Sequence, residues 1–115
     1  MVETSIGIEL YYEDHQKRDE VIYGGTIDEH LDKTGLINRC LGLDDEVVKG
    51  WISNPSTYPE EYREYLICLL WKSRGVRGGL IKIPGLVWRG DDLVVEWRWT
   101  GMQYGTATPI LLRSS

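Results

Sequence analysis

The sequence predicts an α+β domain: an antiparallel sheet, made of an N-terminal strand or hairpin plus a C-terminal meander, with several helices packed on one face. Three observations carry this. Leu93 to Trp99 alternates, with Leu93, Val95, Trp97 and Trp99 on one side and Val94, Glu96 and Arg98 on the other, which is the two-residue period of a half-buried strand. Between Thr26 and Gly75, apolar residues recur at helical spacing behind two capping-box patterns, Thr26-x-x-Glu29 and Thr57-x-x-Glu60. From Gly78 onward the period returns to that of strands, in short runs punctuated by Gly and Pro.

Taken in order, Ser5 to Tyr12 reads as a first strand with Ile6, Ile8 and Leu10 on one side. The charged run Glu13 to Glu20 is too polar to pack and reads as a hairpin tip before a short second strand, Val21-Ile22-Tyr23, or as a loop running into the helices. Thr26 should open a short helix that Gly35 interrupts. Leu36, Ile37, Cys40 and Leu41 continue at helical spacing to Gly42, and Asp44-Asp45-Glu46 supplies acidic residues for the start of another helix carrying Val47, Val48, Trp51 and Ile52. Asn54-Pro55-Ser56 breaks the chain, and Thr57 to Glu60 should cap the best helix of the protein. Its face is Tyr62, Tyr65, Leu66 and Leu69, widened by Ile67, Leu70 and Trp71, with Gly75 as its C-cap. Strands are expected at Leu80 to Ile83, Leu86 to Arg89, Leu93 to Trp99 and Thr106 to Leu112, with a turn at Gly90-Asp91-Asp92. Pro84 and Pro109 cannot donate to a ladder and belong at a strand end or on an edge.

The 115 residues suit a single globular domain, 1–115, burying roughly two-thirds of the unfolded surface. Phe is absent beside five Trp and seven Tyr, so every large ring brings a polar group that wants a partner when buried. The net charge of −5 is uneven: five Lys/Arg face twelve Asp/Glu up to Thr57, and eight face six thereafter. An acidic first half favours a basic protein surface as partner and disfavours duplex DNA. Cys40 and Cys68 lie in apolar runs without a close Cys-x-x-Cys pattern, and read as reduced core residues of a cytoplasmic protein. No apolar run is long enough to enter a membrane.

No catalytic constellation is identifiable, and the reading leans against an enzyme. His15 beside Asp14, and His30 between Glu29 and Asp32, lack the converging ligands of a metal site, and neither has a placed nucleophile. No metal or cofactor is expected. Asp44-Asp45, Glu60-Glu61 and Asp91-Asp92 have helix-start or turn roles. The glycines from Gly75 to Gly79 sit in the reverse of phosphate-loop order, as a helix-to-strand connection.

The function expected is that of a small soluble binding or regulatory protein acting through protein–protein contact, by its acidic half or its Trp-rich sheet. The alternative is a small-molecule binder or enzyme with a pocket between helices and sheet, lined by Tyr62, Tyr65, Trp97 and Trp99. A third reading, single-stranded nucleic-acid binding, would use Lys82, Arg89, Arg98 and Tyr104 on the sheet face.

Overall fold

A computed structural model describes residues 2–5, 7–18 and 20–114, with the side chains of 7–14, 16–18 and 20–114. In chain order the elements are β1 (Val2–Ser5), β2 (Ile8–Tyr11), α1 (Asp14–Lys17), β3 (Ile22–Tyr23), α2 (Gly24–Thr34), α3 (Glu46–Ser53), β4 (Cys68–Leu69), β5 (Gly75–Arg77), β6 (Leu80–Arg89), β7 (Asp92–Trp99), β8 (Gln103–Tyr104) and β9 (Ile110–Arg113). Seven strands form one sheet in the order β1-β2-β9-β4-β6-β5, with β7 also paired to β6, while β3 and β8 make a separate two-stranded ladder. The fold is α+β, and its sheet is mixed: all pairs are antiparallel except β4 with β9.

Helices lie on both faces of this sheet, which corrects the single covered face expected from the sequence. Neighbouring residues of one strand enter different cores. Cys68, Leu86, Leu93 and Leu111 pack with Val48 and Trp51 of α3 and with Tyr58 and Tyr62. Leu69, Ile83, Val87, Ile110 and Leu112 pack with Ile27 and Leu31 of α2 and with Trp71. A strand buried on both sides needs apolar residues at every position rather than at alternate ones.

That requirement explains the largest departure from expectation. No long helix follows Thr57. The chain makes a 3-10 turn at Glu60–Tyr62, enters the sheet as β4 and makes another 3-10 turn at Trp71–Ser73. Ile67, Cys68, Leu69, Leu70 and Trp71 are all buried. A continuous apolar run of this length suits a central strand as well as a helix face, and periodicity alone does not separate them. The Leu69 and Leu70 amides donate to the carbonyls of Pro109 and Pro84, at 2.8 and 2.9 Å, satisfying across the sheet what a helix would have satisfied within itself.

Other boundaries move for similar reasons. The chain turns at Gly7, whose φ is +80°, so β1 and β2 form a hairpin where one strand was expected; Ile6 lies outside the described residues. The charged run contains α1 rather than a hairpin tip, and β3 pairs with β8, not with the first strand. Thr26 does not cap α2. The helix begins two residues earlier, and its Gly24 and Gly25 amides donate to the carbonyls of Met102 and Thr100 at 3.0 and 2.9 Å. Gly35 ends α2 in the left-handed conformation, and a 3-10 turn at Leu36–Arg39 follows in place of more helix. Asp45 is the N-cap of α3, near where the acidic run placed the start.

Two expected strands of the meander are one, β6, with Pro84 inside it rather than at an end or edge. Pro84 falls between the part of β6 paired to β5, Leu80 to Lys82, and the part paired to β4, Gly85 and Leu86. At that change of neighbour a missing N–H leaves no ladder bond unmade. Gly85 is required by packing: a Cβ there would lie 2.3 Å from Ile67 Cγ1 and 2.4 Å from Cδ1. Gly85→Ala should destabilise the protein by about 1–3 kcal/mol, read as a lowered urea midpoint. In Gly85→Ala/Ile67→Ala the loss should be smaller than the two single losses added together.

Both cysteines are buried and unpaired, neither of them in a helix. Cys40 follows the 3-10 turn and bridges Leu112, whereas Cys68 lies in β4. They belong to different cores on opposite sides of the sheet, and burial pushes each thiol up to about 12. Below that range each is a protonated thiol, and the thiolate is the reactive form. Thiol reagent at pH 8 should modify neither cysteine in the native protein and both after unfolding, with no disulfide between them at any stage.

Candidate functional site

The candidate site is the outer end of the ribbon formed by β5, β6 and β7, where the sheet runs beyond both cores. Gly78 and Gly79, at φ +62° and +79°, make the two-residue connection from β5 to β6, a conformation that glycine adopts without steric cost. The register Arg77↔Leu80 and Lys82↔Trp99 is regular, so Arg77, Leu80, Lys82, Trp97 and Trp99 occupy one face. Arg77 Cζ lies 4.1 Å from the ring centroid of Trp97, a cation–π contact. Neither Arg77 nor Lys82 has an ion-pair partner among the described residues.

The apolar face of β7 therefore runs off the core instead of being buried along its length. Leu93 is buried, Trp97 is half-buried and Trp99 is 44% exposed. Nearby, Leu80 is 42%, Ile81 46% and Val76 73% exposed. The Trp99 ring lies on the backbone of Gly101, where a Cβ would meet ring carbon Cζ2 at 2.4 Å. The Trp99 carbonyl accepts from the Met102 amide at 3.1 Å and from the Tyr104 hydroxyl at 2.7 Å. These contacts hold the exposed indole in place.

The four residues expected to line a pocket are not gathered around one. Tyr62 is enclosed in the core in edge contact with Trp51 and Tyr58. Tyr65 packs beside that core, as does Tyr12, whose hydroxyl donates to the Thr106 carbonyl at 2.8 Å and is pushed up first by burial and then by Tyr65. Trp97 and Trp99 lie at the other end of β7, where Trp99 is about 20 Å along the strand from Leu93.

The expected cationic sheet face is split as well. Lys82 is on the opposite face from Arg89 and Arg98, because it is an odd number of positions from Arg89 on β6 and directly across from Trp99. Arg89 and Arg98 share the carboxylate of Glu96. Tyr104 is buried, in edge contact with Trp71. Arg77 and Leu80 did not figure among the expected site residues. Their signal is Gly78-Gly79 between strand-forming residues, a hairpin pattern obscured by the helical spacing of the run before it.

Several carboxylates of the acidic first half are held in ion pairs. Asp28 and Asp32 bind Arg74, Asp45 binds Arg113 at 2.8 Å and Glu9 binds Arg39 at 2.8 Å. Arg74 and Arg113 come from the basic second half, so part of the charge asymmetry is attraction between the two halves. Glu13 is buried against His30, with Oε2 2.7 Å from Nδ1; the side chain of His15 lies outside those described. A hollow of about 180 Å³ beside His30 is lined by Thr26, Glu29 and Lys33 of the same helix, smaller than most ligand pockets. Among the described residues no group of three or more His, Cys, Asp or Glu is placed to hold a metal ion.

Asp28 also accepts from the Trp71 indole N–H at 2.7 Å. Asp28→Ala should cost about 1–3 kcal/mol by leaving that buried donor unpaired, whereas Asp32→Ala, at a half-exposed ion pair, should cost less than about 1 kcal/mol. Thermal denaturation of the two variants checks the order. No family model, curated protein or solved structure matches the chain.

Proposed function

We propose that this is a small binding or regulatory protein that acts through protein–protein contact, and that the contact is made by the outer end of the β5–β6–β7 ribbon. The observation that supports it most is the coincidence of exposed Trp99 and Leu80 with Arg77 and Lys82, two cations without carboxylate partners among the described residues. Trp and Arg dominate the energetics of protein contacts because they combine large apolar area with a polar group. The matching partner is a segment carrying apolar and acidic side chains. A basic partner would instead use the exposed carboxylates of the first half, away from this face, since Glu9, Asp28, Asp32 and Asp45 are already engaged.

A reducing compartment, the cytoplasm, suits two buried unpaired thiols. Among the described residues no helix is long and apolar enough to cross a membrane. Duplex DNA is disfavoured by the net charge of −5.

The test compares the wild type with Trp99→Ala and Arg77→Ser in affinity capture from cell lysate, followed by titration of the captured protein. Both variants should keep a cooperative melting transition, because neither side chain belongs to a core. Trp99→Ala should weaken binding about tenfold or more, and Arg77→Ser should also reduce its salt sensitivity. Equal binding by all three proteins would remove the ribbon as the contact surface.

A further inference from the structure

The outer side of β7 is an open sheet edge. Its connection to β6 is the two-residue loop Gly90-Asp91, so Arg89↔Asp92 is a hydrogen-bonded pair and bonded pairs alternate from there. The Thr100 amide donates to the Ile81 carbonyl at 3.1 Å, which keeps the same phase at the far end. The amides and carbonyls of Leu93, Val95, Trp97 and Trp99 therefore point away from β6. The Leu93 amide is taken by Asp92 Oδ1 at 2.9 Å, and the Trp99 carbonyl by Met102 and Tyr104. The backbone groups of Val95 and Trp97 have no partner among the described residues.

Sheet edges are commonly blunted by shortness, bulges or cover. The opposite edge follows that rule, since β1 has four residues and a register shift between Glu3 and Ser5. β7 has eight residues in regular register.

We propose that β7 pairs antiparallel with β7 of a second copy of this chain, about a twofold axis at Trp97. The order of side chains makes this edge self-complementary in that register. With the axis at Trp97, Glu96 lies opposite Arg98 of the second copy, and Arg98 opposite its Glu96. On the other face Trp97 meets Trp97 of the second copy, and Val95 meets its Trp99. Moving the axis to Glu96 would oppose two carboxylates, and moving it to Arg98 would oppose two guanidinium groups, both unfavourable for directly facing pairs. A shift out of phase would point inward-facing backbone groups at the partner. In the favoured register the two Trp97 residues exchange both N–H···O bonds, and each Trp99 amide donates to the Val95 carbonyl of the other copy.

The pairing extends one sheet into the next and sets the two Trp97 side chains on the same face. Its bonds are made by the backbone edge, whereas the partner contact proposed above is made by side chains of Trp99 and Arg77, so the oligomeric state and the partner affinity test the two separately.

The experiment is sedimentation equilibrium over a wide concentration range, on the wild type and on Val95→Pro. The Val95 amide points outward, so proline removes no bond from the sheet while its ring projects into the space of the second strand. The wild-type mass should rise from 13.2 kDa toward twice that value, with association at least about tenfold weaker in Val95→Pro. Amide hydrogen exchange supplies a second measurement that does not depend on the variant folding. Exchange at Trp97 and Trp99 should slow about tenfold or more with rising concentration, while Glu96, whose amide faces β6, should not change.

A wild type that stays monomeric overturns the pairing, as does a dimer in which Trp97 and Trp99 exchange at the monomer rate. Association of Val95→Pro as strong as the wild type also overturns it. A monomeric wild type whose partner binding still depends on Trp99 would leave the proposed contact face standing.

Discussion

The structure depends on the burial of its central strands from both sides. β4 is two residues long and sits between β9 and β6, yet the run around it supplies both cores: Cys68 and Leu70 to one, and Ile67, Leu69 and Trp71 to the other. A helix over the same residues would bury only a stripe and leave β6 and β9 without the strand between them. The absent side chain of Gly85 belongs to the same constraint, because Ile67 occupies the space a Cβ would need. Apolar packing is the main favourable term in folding, and here it overrides a segment whose local pattern favours helix.

Electrostatics ties the layers together. Asp28, on α2, meets Trp71 and Arg74 from the segment after β4, and Arg113 of β9 meets Asp45 at the start of α3. Such half-buried ion pairs contribute little net stability but penalise wrong arrangements, since a broken pair leaves a charge partly desolvated.

Several groups that the cores do not use lie together at one end of the sheet. β6 and β7 are the longest strands, and their outer end extends past the helices with Trp99, Leu80 and Arg77 on one face and an open backbone edge along β7. The exposed indole is held by the folding of the next loop over Gly101 and the donation of two hydrogen bonds to the Trp99 carbonyl. This three-stranded end, with its unused aromatic, cationic and backbone groups, is where both proposed contacts fall.

The α+β class, the hairpin at Gly90-Asp91, the alternation of β7, the end of α2 at Gly35 and the acidic start of α3 are all legible in the sequence, because each rests on local stereochemistry or on a period within a few residues. The fate of Ile67 to Trp71 is not, since a fully apolar run has no period to read and only the neighbours β6 and β9 make it a strand. The cap of α2 comes from Thr100 and Met102, far along the chain, so the local Thr26-x-x-Glu29 pattern misleads. The site divides in the same way. Trp97 and Trp99 are marked as partners on one face by their spacing, and the split of Lys82 from Arg89 and Arg98 follows from parity once β6 is known to be one strand. How far the cores extend along β7 was decided only by tertiary packing, and with it whether those indoles are buried or exposed.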